Sequence, residues 1–209
     1  MEISKIINKH LIKIAILVLI LLTVFWRLGP HIPNFAPVSA VALVLSMTIG
    51  WRKSLAITLT IMAISDLAIG GYSGMQWTWL GFALITVFGY TIRRLQMTWR
   101  ILGGALGASM IFYIVSNFGT WLSSGMYAPN IAGLVECYVM ALPFIKATIV
   151  SDLFFTSILL ASYEVVKGYK TERLYCNLTE PVSIYFQKVS PNQRKLVVTF
   201  AISVLTKTP

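Results

Sequence analysis

Charge is what this sequence has least of. Only 11% of its 209 residues are charged, 17 of them basic and 7 acidic, while 57% are hydrophobic. A water-soluble domain carries about a quarter charged residues. With so little polar surface to turn outward, a soluble globular fold is excluded. Cysteine is almost missing too. Cys137 and Cys176 are the only two, and no Cys-x-x-Cys or metal-spaced cluster accompanies them, which excludes a disulfide scaffold and a zinc module. Histidine is equally scarce, at two residues. The GxxxxGK[ST] phosphate loop is absent, so the chain does not hydrolyse ATP through that motif. Nothing in the pattern asks for a cofactor or a metal.

What is present is a series of oily runs. Lys5, Lys9 and Lys13 precede an apolar run from Ile14 to Trp26. No small-x-small cleavage site follows it; Arg27 and three prolines come instead, so it reads as an uncleaved first span. Further runs cover Val38 to Gly50, Ser54 to Gly70, Trp77 to Ile92, Ile101 to Leu122 and Phe144 to Val166. The predicted fold is therefore all-α, an integral membrane protein of six transmembrane helices within residues 1–173. Residues 174–209, richer in Asn, Gln, Pro and hydroxyls, form a cytoplasmic tail with no functional reading. Its apolar stretch Leu196–Leu205 is expected on the inner membrane surface or against a partner.

Two segments do not fit the simple pattern. The second run is short against the roughly 20 residues a crossing needs, so part of the proline stretch before it should dip below the surface. Ile131–Leu142 is apolar but also too short to cross. It reads as a re-entrant or interfacial helix beside the outer opening.

The formal net charge of +10 raises the question of nucleic acid. The basic residues, however, sit in short clusters between the oily runs, not on one face interleaved with aromatics. No nucleic-acid role follows. With both termini in the cytoplasm, 15 of the 17 basic residues fall inside and only Arg27 and Lys146 outside, as the positive-inside rule requires. The expected location is the inner (cytoplasmic) membrane. Cys137 and Cys176 then lie on opposite sides of the bilayer and should not pair. Trp26, Trp51, Trp77, Trp79, Trp99 and Trp121 all fall at span ends, where an indole keeps its ring in the acyl region and its N–H wet. Gly103, Gly104, Gly107 and Ala108 on the fifth run, and Ala36 and Ala40 at the second, give the small-xxx-small spacing that lets helices approach closely.

The polar exceptions define the candidate site. Arg27, His31 and Asn34 belong to a stiff connector, because each of Pro30, Pro33 and Pro37 fixes its own φ and extends the residue before it. Asp66 and Asp152 each sit in a Ser-Asp-Leu triplet inside a span. A carboxylate at that depth is costly unless paired, protonated or facing water, which marks it as functional. Asn117 lies near the outer end of the fifth run. In the drawn topology these six residues converge on the outer leaflet, as a ligand cavity or as mutual bracing, with Arg27 pairing either aspartate. Arg27 and His31 suit an anion, whereas the aspartates suit a cation.

Several motifs carry a family likeness. They are Arg27-Leu28-x-Pro30-His31-x-Pro33-Asn34-Phe35-x-Pro37, Ser65-Asp66-Leu67, Ser116-Asn117-Phe118-Gly119-x-Trp121-Leu122, the Tyr127–Tyr138 segment with Ala132-Gly133, and Asp152-Leu153. Together they resemble a family of uncharacterised bacterial putative transport proteins, which is similar to the substrate-binding S components of energy-coupling-factor transporters. The likeness runs in order from about Trp26 to Ser162. It implies a six-helix subunit, not an enzyme, that captures a small molecule from outside. A separate membrane coupling protein and paired ATPase subunits would drive its release. The substrate-binding set is then Arg27, His31, Asn34, Asp66, Asn117, Trp121 and Asp152. One departure stands out: S components often carry an Ala-xxx-Ala face on the first span, where Ile14–Trp26 has only Ala15. Three other readings compete. One is a stand-alone proton-coupled secondary transporter using Asp66 or Asp152. The second is an intramembrane aspartyl enzyme, though Ile64-Ser65-Asp66 lacks the Gly-x-Gly-Asp pattern. The third is a scaffold without ligand.

Overall fold

Glycine stands at several of the points where the chain's helices stop. The computed structural model describes residues 16–30 and 34–188, with side chains described as far as residue 164. His31, the lysines Lys5, Lys9 and Lys13, and the Leu196–Leu205 stretch lie outside the described residues. Six α-helices stand within them: α1 (Ile16–Leu28), α2 (Val38–Ile49), α3 (Trp51–Ile69), α4 (Met75–Ile92), α5 (Met97–Ser123) and α6 (Ile131–Lys188). Gly50 alone joins α2 to α3, at φ 92°, a backbone state open to glycine and costly for other residues. Gly70, in the left-handed region, closes α3, and the N–H groups of Gly70 and Gly71 both donate to the Asp66 carbonyl.

The chain divides into two compact units, Met1–Ala161 and Ser162–Pro209. Of the second, residues 162–188 are described, as helix. The first unit is the bundle, and α2 is its axis. Every residue from Val38 to Met47 is buried, so this helix is apolar all round because protein surrounds it. Val41 and Leu45 pack with Ile61 of α3 and Val24 of α1, while Leu43 and Met47 pack with Phe82 and Ile85 of α4 and Ala108 of α5. That position explains the short second run in the sequence: α2 is sheathed by its neighbours.

Small residues let the neighbours close in. A Cβ on Gly89 of α4 would stand 2.8 Å from the Leu43 carbonyl oxygen, and one on Gly104 of α5 would press on Leu43, Ile92 and Met47. Gly103 faces open space and Gly107 meets the Phe88 ring, so the glycines of α5 serve different faces. Hydroxyls add polar ties. Ser54 of α3 donates to the Ala42 carbonyl at 2.8 Å, and Ser46 of α2 donates to that of Thr86.

The separate short helix expected at Ile131–Leu142 is not there. Those residues open α6, which continues unbroken through Pro143. A proline removes one N–H from the ladder and hinders the helix locally, and here the flanking turns are held from outside. Tyr113 of α5 donates to the Tyr138 carbonyl at 2.5 Å, and Tyr138 donates back to that of Ile114 at 2.7 Å. Two helices, Met97–Ser123 and Ile131–Glu164, are long and apolar enough to cross a membrane. Their outward faces are oily: Leu102, Leu106, Met110 and Ile114 recur every four residues on α5, and Val150, Phe154 and Ile158 do so on α6.

Candidate ligand cavity

The site forms where three helices end and two begin. Short connectors make consecutive helices antiparallel. The ends of α1 and α3 and the last three turns of α5 therefore gather with the entries to α2 and α4 and with residues 141–148 of α6. Between them lies a cavity of about 450 Å³, within the range of small-molecule sites. Arg27, Asn34, Ser39, Tyr72, Asn117 and Thr148 supply its polar lining, and Phe82, Phe112 and Phe144 much of the rest. Phe82 and Phe112 stack with ring centroids 5.0 Å apart. Asn34 holds the connector's turn at φ 62°, a left-handed state that asparagine tolerates better than most residues.

Arg27 is the charged member of the wall, and its charge is balanced at once. Its Nη1 donates to Asp66 Oδ1 at 2.6 Å and also to the Ser65 hydroxyl. The other Asp66 oxygen accepts from Trp79 Nε1 at 2.7 Å. Asp66 is 2% exposed and Arg27 14%. The carboxylate thus stands behind the guanidinium, and its own outlook is a second, mostly apolar groove with Leu67, Met75 and Trp79 between α3 and α4.

Asp152 is in a different state. It is 1% exposed, and its Oδ2 accepts from Ser109 of α5 at 2.7 Å. Ser39, a cavity residue, sits beside the same carboxyl, yet among the described residues Oδ1 has no hydrogen-bond partner. One helical turn along, Thr156 Oγ1 is likewise buried, with no partner among the described residues. The two aspartates keep separate partners: Asp66 has a cation, whereas Asp152 has a hydroxyl.

Of the residues predicted from sequence, Arg27, Asn34 and Asn117 line the cavity together. Asp66 and Asp152 stand one layer behind it. Trp121 lies outside the lining, its Nε1 donating to the Ala128 carbonyl at 2.9 Å and its ring against Phe118. The indole of Trp79, expected at the membrane boundary, is turned inward to Asp66. That of Trp26 donates to the Phe35 carbonyl at 2.9 Å, bracing the proline connector. Sequence reasoning missed Ser39, Tyr113, Thr148, Ser109 and Trp79. Serines and threonines on apolar helices give no sign of which neighbour they will face, and only the Gly104–Ala108 small face near Ser109 hinted at a close approach.

Among the described residues no cluster of three or more His, Cys, Asp or Glu exists to hold a metal. The class defined so far is an all-helical protein with two membrane-length apolar helices and a polar cavity at one end of its bundle. The chain belongs to the family of unknown function DUF6580, whose model matches residues 8–174. No curated protein and no solved structure matches it.

Proposed function

We propose that this chain is the membrane-embedded substrate-binding subunit of a small-molecule uptake transporter. In this reading all six helices cross the inner membrane, with the cavity at the extracytoplasmic side and both termini in the cytoplasm. The observation that carries it is the cavity, lined from six helices or their flanks by both hydrogen-bonding and aromatic groups. A bracing cluster would have filled that volume with side chains. Capture is the role of this subunit, and release is driven by a separate coupling membrane protein with ATPase subunits, in line with the missing phosphate loop. The long hydrocarbon-facing rows on α5 and α6 support the bilayer placement, since contiguous apolar surface of that extent has no place in water.

The test is native mass spectrometry of the full chain taken from its membrane. A retained small molecule is expected, and Asn117→Leu, which keeps the side chain's size but deletes its amide, should lose it. A wild-type chain that carries neither a small molecule nor companion subunits contradicts the reading. One observation favours a second reading, a stand-alone proton-coupled transporter: the bare oxygen of Asp152. Asp66, held by Arg27 and Trp79, suits that role poorly. Uptake by the lone chain in liposomes, driven by a pH gradient, would establish it.

A further inference from the structure

The cavity's hydrogen-bonding groups are unevenly committed. Tyr113 donates to the Tyr138 carbonyl, Ser116 to that of Phe112 at 2.6 Å, and Asn117 Nδ2 to that of Tyr113 at 2.8 Å. Thr120 donates to the Ser116 carbonyl at 3.0 Å and Thr148 to that of Phe144 at 3.1 Å. Four cavity hydroxyls on α5 and α6 thus spend their one donor on backbone, and Asn117 spends one of its two amide hydrogens there. A hydroxyl engaged in this way still has free lone pairs, and so does the asparagine carbonyl. What this wall chiefly presents to an occupant is acceptors.

The charges point the same way. Arg27 and Asp66 cancel as a bonded pair. Asp152 has no cation beside it among the described residues, and the cavity residue Ser39 stands next to its carboxyl. A buried ionised group without a partner is strongly disfavoured, and the low dielectric around it extends its attraction for a positive charge. The rings of Phe82, Phe112 and Phe144 add apolar surface for the body of such a ligand. We infer that the cavity takes a small organic ammonium, its N–H groups received by the acceptor wall and its charge balanced by Asp152 beneath Ser39.

This inference rests on the substrate-binding reading and names the ligand class for the same site. Its test measures equilibrium binding of three probes of one shape to the full chain in lipid nanodiscs: phenethylamine, phenethyl alcohol and hydrocinnamate. Phenethylamine should bind about tenfold tighter than the alcohol, as expected for a hydrogen bond gaining a charged partner, and hydrocinnamate should bind weakest. Asp152→Asn, nearly isosteric, should collapse the preference so that amine and alcohol bind alike. Thr148→Val, which keeps shape and removes an acceptor, should weaken the amine several-fold. Hydrocinnamate binding as well as the amine, or a preference that survives Asp152→Asn, overturns the inference. So does a failure of all three probes. A retained molecule in native mass spectrometry would in that case leave the substrate-binding reading standing without the ammonium.

Discussion

At the scale of single residues, Arg27 and the two aspartates carry the account. Two carboxylates from identical Ser-Asp-Leu triplets end in opposite circumstances because α1 delivers a guanidinium to one and α5 only a hydroxyl to the other. Arg27→Ala should cost about 3 kcal/mol, because it leaves Asp66 buried and uncompensated. Adding Asp66→Leu should recover part of the loss, and thermal unfolding in detergent reads both. The sequence made this pair legible in outline: an arginine at one span's end and an aspartate near another's were recognisable as candidates for each other. It did not say which aspartate Arg27 would choose, nor that Trp79 would join. Partners across helices depend on the rotation of each helix about its axis, and a few tens of degrees move a side chain from the cavity to the layer behind it. The contacts of Asp152 with Ser39 and Ser109 were hidden for the same reason.

At the scale of elements, α2 and α6 show where sequence patterns were and were not decisive. Twelve residues make α2 about 18 Å long, too short to cross a bilayer unaided. In the proposed membrane placement its burial among neighbouring helices makes that length acceptable. In the proposed membrane placement close contact comes from small residues, since lipid tails are as apolar as the packed side chains themselves. Gly89→Ala should therefore push α4 off the Leu43 carbonyl and cost about 1–3 kcal/mol. Gly103→Ala, into open space, should be neutral or gain up to about 1 kcal/mol from helix propensity. Unfolding midpoints of the two variants, measured side by side, separate a packing glycine from a merely permissive one. The small-xxx-small spacing announced such a face without saying which glycines occupied it. For α6, Pro143 and the shortness of the apolar run before it suggested a break. The reciprocal tyrosine bonds to α5 outweigh that local signal, and they join residues 24 and 25 positions apart, beyond the reach of any local pattern.

At the scale of the whole molecule, composition told the most. So little charge in so oily a chain foretold helices with apolar outer surfaces, and residues such as Leu67 at 83% exposure and Phe25 at 76% bear out that property of the surface. The cavity end gathers Asn34, Tyr72 and Asn117. The opposite end gathers Arg52, Lys53, Arg93, Arg94 and Arg100 beside the short connectors at Gly50 and between α4 and α5. The central claim is that these two ends face opposite sides of the inner membrane, with the cavity outward. Side-specific cysteine labelling tests it most directly, using Tyr72→Cys and Arg94→Cys in a background lacking Cys137 and Cys176. A membrane-impermeant maleimide should modify position 72 in spheroplasts with an intact inner membrane, and position 94 only after permeabilisation. Labelling of position 94 from outside with position 72 protected, or labelling of both from one side, would contradict the account.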